Sequence, residues 1–156
     1  MEDTIFNVNE EQLEVVVSRI FKTTKERLWS AITIPEQISQ WWGPADYSTE
    51  VEKNDVRVGG AWRFVQTTKD GKIHAFRGDY KEVKEPTKLV RSFEYEPMAG
   101  HVLIETMEFE SQSDGSTKMT ATAKYSSLDD LRGMVDMDME SGERESFDRL
   151  AKLLGE

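Results

Sequence analysis

Between Gly59 and Gly115 the chain is cut by turn signals at short intervals, and this spacing restricts its fold more than any other feature. Gly59-Gly60, Asp70-Gly71, Glu85-Pro86, Pro97 to Gly100 and Asp114-Gly115 supply the free or fixed backbone angles that tight turns need. The stretches between them have strand length and alternating character. In the clearest, Thr117, Met119, Ala121, Ala123 and Tyr125 fall on one face and Lys118, Thr120, Thr122 and Lys124 on the other. That is the pattern of an antiparallel strand with one buried face. An earlier strand is predicted over Leu13 to Lys22, where Val15, Val16, Val17, Ile20 and Phe21 are β-branched or aromatic.

Helices are predicted on either side of this meander. Thr23 and Glu26 have capping-box spacing, and Leu28, Trp29 and Ile32 then share a helical face. Pro35 suits the first turn of a second helix that should end near Trp41-Trp42-Gly43-Pro44. After Ser126-Ser127, Leu131, Met134, Val135, Met139, Phe147, Leu150 and Leu154 recur at helical steps. They predict one amphipathic helix from about Leu128 to Leu154, irregular near Gly133 and Gly142. The order β, α, α, six strands, α belongs to the α+β class, with a curved antiparallel sheet burying one face of the long helix.

A chain of 156 residues has room for one domain. It is expected over residues 13–156, with 1–12 an extension that either joins that domain or is flexible. The longest apolar runs are three residues, far below the roughly 20 needed to cross a bilayer, so no membrane insertion is expected. The acidic start, MEDTIFNVNEEQ, lacks the basic and apolar regions of a secretory signal, which predicts a cytoplasmic protein. Cysteine is absent, excluding disulfides, thiol nucleophiles and thiolate metal sites. A net charge of −10 with no basic cluster argues against nucleic acid as a partner. The acid is densest from Leu128 to Glu156, where nine carboxylates stand against four basic residues, as on a solvated helix face or a docking face for a basic partner.

Several motifs run in register with one family. These are Arg19-x-Phe21, Leu28-Trp29, Pro35-Glu36 leading to Trp41-Trp42-Gly43-Pro44, and Val58-Gly59-Gly60-x-Trp62-x-Phe64. Asp70-Gly71, Gly78, Pro86-x-x-Leu89-Val90, Gly115-x-Thr117 and Gly142 before Leu150 complete the set. The chain from Leu13 to Leu154 thereby resembles the family named for the C-terminal domain of the activator of heat-shock protein 90 ATPase, within the helix-grip superfamily of START lipid-transfer domains and the birch-pollen allergen. The resemblance implies a sheet gripping a long C-terminal helix around an internal cavity, and a chaperone as an alternative partner. The eukaryotic activators carry a separate N-terminal domain that does much of the docking, whereas this chain has the helix-grip unit only. Two positions depart from the family pattern. Glu143 replaces an aromatic residue common after the glycine of the last helix, removing an aromatic contact at that end, and Thr24-Lys25 replaces the usual Ala-Pro.

The residues carry little catalytic chemistry. No nucleophile elbow surrounds any serine, and His74 and His101 lie too far apart for a paired metal motif. The acidic run lacks the EF-hand pattern, and Gly59-Gly60 opens no phosphate loop. No catalytic residue, metal or cofactor is therefore assigned. The informative constellation is an inward face. Alternation puts Trp62, Phe64 and Gln66 on one face of their strand and His74, Phe76, Gly78 and Tyr80 on the same face of the next. If the Asp70-Gly71 hairpin pairs Phe64 with Phe76, Gly78 falls opposite Trp62. If the following hairpin centres on Met98, Arg91 and Glu105 face each other, either as an ion pair inside the protein or exposed by a bulge. His101 would then lie opposite Tyr95. From these residues alone the default reading is a filled core; the resemblance implies a pocket. Its expected lining is Trp42, Trp62, Phe64, His74, Phe76, Tyr80, Arg91, Phe93, Glu105, Met107, Met119 and Met139. The function expected is non-catalytic binding of a small hydrophobic or amphipathic molecule, the alternatives being a co-chaperone and a cavity acid/base enzyme.

Overall fold

The structure, a computed structural model, describes residues 3–156. Its strands are β1 (Ile5–Asn9), β2 (Glu14–Phe21), β3 (Ser48–Asn54), β4 (Ala61–Thr67), β5 (Ile73–Lys84), β6 (Lys88–Tyr95), β7 (Leu103–Ser111) and β8 (Thr117–Lys124). Its helices are α1 (Lys25–Thr33), α2 (Pro35–Trp41), α3 (Leu128–Asp136) and α4 (Met139–Leu153). The eight strands form one antiparallel sheet in the order β1-β2-β8-β7-β6-β5-β4-β3. Strands β3 to β8 are a meander, as the turn spacing predicts, and α1 and α2 carry the chain from β2 to the far edge at β3.

Alternation sets which face is buried. Val15, Val17 and Phe21 of β2, Trp62 and Phe64 of β4, and Met119 and Ala123 of β8 all enter the core. Phe147, Leu150 and Ala151 of α4 and Leu131 of α3 meet them there. No helix among the described residues is long and apolar enough to cross a membrane.

The two expected hairpin registers are present: Phe64 pairs with Phe76, Trp62 with Gly78, and Arg91 with Glu105. Gly78 allows a close approach. A Cβ there would lie 1.9 Å from the Ser92 carbonyl oxygen and 2.6 Å from the Trp62 indole nitrogen, whose N–H donates to that same oxygen at 3.1 Å. The register of β5 against β6 shifts between Tyr80 and Glu82, a bulge that turns Val83 toward the core.

Three expectations need correction, and a fourth, left open between two alternatives, is decided. The cap of α1 is Thr24, whose hydroxyl accepts from the Arg27 N–H at 3.2 Å; the Thr23 carbonyl accepts from Thr117, which ties it to β8. The C-terminal helix is two helices, and the break is at Met137-Asp138, not at Gly133 or Gly142. Asp138 takes a left-handed conformation (φ 61°, ψ 40°), while the two glycines sit inside their helices. His101 does not continue the hairpin opposite Tyr95, because β7 begins at Leu103 and His101 instead bonds Asp130 of α3 at 2.8 Å. Within the segment 1–12, finally, Ile5–Asn9 is an edge strand paired along its whole length with β2; residues 1 and 2 lie outside the described residues.

Candidate ligand cavity

Between the sheet and the C-terminal helices lies a cavity of about 240 Å³. The sheet contributes Val15, Val17, Phe76, Phe93, Leu103, Met107, Met119, Ala121 and Ala123. Trp41 and Trp42 close one end, and Met134, Met139 and Phe147 form the helical wall. The wall at the Trp41-Trp42-Gly43-Pro44 turn is pinned to α4. The Gly43 N–H donates to the Ser146 hydroxyl at 3.0 Å, and Arg149 donates to the Gly43 and Gln40 carbonyls at 2.6 and 2.9 Å. Gly43 meets this geometry with φ +86°, and a Cβ there would collide with the Gln66 side chain.

A few polar groups stand among these apolar walls. Arg91 is 4% exposed, donates from Nε to Glu105 Oε1 at 2.7 Å, and holds its guanidinium 4.5 Å from the centre of the Trp62 ring. Burial works against its charge, but Glu105 and Tyr80 outweigh it and hold the Arg91 pKa above the ordinary value. Tyr80, also buried, donates its hydroxyl to Asn54 Oδ1, and Asn54 donates to the Thr33 carbonyl at 2.8 Å, so α1 braces this group from behind. Burial raises the Tyr80 pKa, so its phenol remains a donor.

Glu143 of α4 lines the same cavity. Burial and the negative charge of Glu105, partly offset by Arg91, push its carboxyl up to about 7. Tyr125 stands beside both carboxyls; burial, then Glu143 and Glu105, push its phenol well above the ordinary range, and its hydroxyl donates to the Met139 sulfur at 3.6 Å. The cavity thus sets a carboxyl of raised pKa, Glu143, near the ion pair of Arg91 and Glu105.

Of the residues expected to line the cavity, Trp42, Phe76, Arg91, Phe93, Glu105, Met107, Met119 and Met139 do so. Four do not. Trp62 and Phe64 are buried beneath Arg91 and support it through their ring faces. Tyr80 is turned toward Asn54, and His74 is held at the sheet's end, bonded to the Tyr95 hydroxyl at 2.6 Å and stacked on Tyr47. His101 borders a second hollow of about 100 Å³, which shares Phe93, Leu103, Tyr125 and Met134 with the first. Glu143 stands out in the sequence as a departure from the family pattern but is not among the lining residues expected there. Its signal is the helical step: Met139, Glu143 and Phe147 are four residues apart, so the carboxylate interrupts an apolar stripe instead of facing solvent.

A curved antiparallel sheet closed by C-terminal helices over an internal cavity defines a helix-grip protein. The model of the family described as "Activator of Hsp90 ATPase homolog 1-like protein" matches residues 22–155, and the chain belongs to that family. Solved structures share its fold. A Mycobacterium smegmatis protein is 24% identical, with a TM-score of 0.87 over 97% of this chain and 96% of that one. An Arthrobacter aurescens protein is likewise 24% identical, with a TM-score of 0.88 over 96% of this chain and 90% of that one. A Silicibacter pomeroyi protein that carries the family's name is 18% identical, with a TM-score of 0.74 over 90% and 96% of the two chains. Curated proteins offer no match to the chain.

Proposed function

We propose that this protein binds a small apolar or amphipathic molecule in the cavity between its sheet and its C-terminal helices, without chemistry of its own. The observation that carries this reading is the cavity itself. Its walls are mostly apolar and carry a few polar groups, among them Arg91, Glu105 and Glu143, the composition of a small-molecule site. Its volume of about 240 Å³ lies below the roughly 300–1,000 Å³ of sites for drug-sized compounds, so the occupant is small. Flexible thioethers at Met107, Met119, Met134 and Met139 suit a wall that adapts to an apolar body. Family membership favours a second reading, a co-chaperone acting on a chaperone ATPase through the protein surface.

Methionine-methyl NMR separates the two. Met107, Met119 and Met139 line the cavity, Met98 and Met137 border the adjoining hollow, and the backbone amides of the exposed Val58 and Ile73, which border neither, serve as internal references. Titration with pooled small amphipathic compounds is expected to shift the first three saturably and leave the references in place. A bound compound at a hundred times its Kd should also raise stability by about 2.7 kcal/mol. Static cavity methyls, in a chain that accelerates a chaperone ATPase, would replace this reading with the second.

A further inference from the structure

The charges in the cavity do not balance. Arg91 is committed to Glu105, at 2.7 Å, and to the face of Trp62, so one guanidinium answers one carboxylate. Glu143 enters the same space from α4 as a second carboxyl. The charges that act on it are Glu105 of β7, which repels its ionised form, and Arg91 of β6, which offsets this in part. The other polar groups on the cavity wall are neutral: Gln66 of β4, Tyr125 beyond β8 and Ser146 of α4. Ser146 already accepts from Gly43, and Tyr125 donates to Met139. An ionised Glu143 therefore lacks a dedicated cationic partner.

We propose that the occupant of this cavity is a small amphipathic amine, its apolar body against Phe76, Met107 and Met119 and its ammonium between Glu143 and Glu105; the inference rests on the cavity-binding reading above. An ammonium supplies both what Glu143 lacks, a positive charge and N–H donors. A carboxylate ligand meets two carboxyls and an arginine already paired. A neutral alcohol gains the apolar contacts but leaves Glu143 without a counter-charge. The net charge of −10 adds a long-range field that draws cations toward the protein.

Three probes that share a phenyl body and differ in the head group test this: phenethylamine, phenethyl alcohol and hydrocinnamate, titrated at about pH 8 with the Met107 and Met119 methyls as readout. The amine is expected to bind roughly tenfold to a hundredfold more tightly than the alcohol, with the carboxylate weakest. Lowering the pH to about 5.5 protonates Glu143 and should remove most of that advantage. In Glu143→Gln the amine should lose its advantage over the alcohol, and saturable shifts with either probe show that the variant is folded. Equal affinity for amine and alcohol at the cavity methyls, or an amine preference that survives Glu143→Gln, overturns the inference and leaves the binding reading standing. No saturable shift with any probe overturns both.

Discussion

Glu143 carries a cost that the rest of α4 does not. Its carboxyl ionises near pH 7 in the folded chain against an ordinary 4.5, because burial and Glu105 favour the neutral form. The folded state therefore holds a proton that the unfolded state has released across this window. Stability owed to the neutral carboxyl is complete below about pH 4.5, falls as pH rises toward 7, and is lost above it. Glu143→Gln keeps the shape and removes the charge. At about pH 5 it should stabilise by less than about 1 kcal/mol, and at about pH 8 by roughly 2–3 kcal/mol. Urea denaturation at the two pH values checks this; an identical effect at both would mean that the carboxyl is solvated. Glu143 was legible as a departure from a family pattern and as a break in an apolar stripe. Neither sign says that the group faces Arg91 and Glu105, because those partners come from strands far away in the chain.

Among the elements, the β4 to β7 meander was the most readable, since hairpin turns fix register and alternation fixes the face. Trp62 opposite Gly78 and Arg91 opposite Glu105 both follow from turn positions alone. The crossing of β5 and β6 over the Trp62 indole has no room for a methyl group. Gly78→Ala should therefore destabilise by about 2–4 kcal/mol, visible as a lower urea midpoint. A neutral result would mean that the Trp62 to Ser92 hydrogen bond is dispensable. The helical elements were less readable. Helical periodicity runs on through Met137 and Asp138, so no local signal marks the break between α3 and α4. Threonines at positions 23 and 24 both suit a cap, and the choice falls to Thr24 because Thr23 is bound to Thr117, 94 residues away.

At the scale of the whole molecule, β1 sits at the edge of the sheet and covers β2, which would otherwise present its unpaired backbone groups to solvent. It is also linked to the helical layer. Arg144 of α4 donates to Asp3 at 3.3 Å, and Arg19 of β2 donates to Thr4 at 3.4 Å and to Asp148 of α4 at 2.6 Å. Several carboxylates of the acidic C-terminal stretch are accordingly engaged in holding the fold. A chain that lacks the first nine residues should keep its cavity, lose about 1–3 kcal/mol and self-associate through the bared edge of β2. Sedimentation velocity together with urea denaturation would show this; a monomer of unchanged stability would make β1 an ornament of the sheet. The sequence by itself determined β2 and the strands of the meander, their order and the α+β class, because turn chemistry and alternation act between neighbours in the chain; that Arg91 faces Glu105 inside the protein was one of two alternatives it left open. Only the tertiary structure decided that Trp62, Phe64 and Tyr80 are packed while Phe76, Met107 and Met119 border empty space, and that Glu143 joins them. A cavity is the volume left over when side chains from eight strands and four helices have been packed, and no local pattern records that remainder.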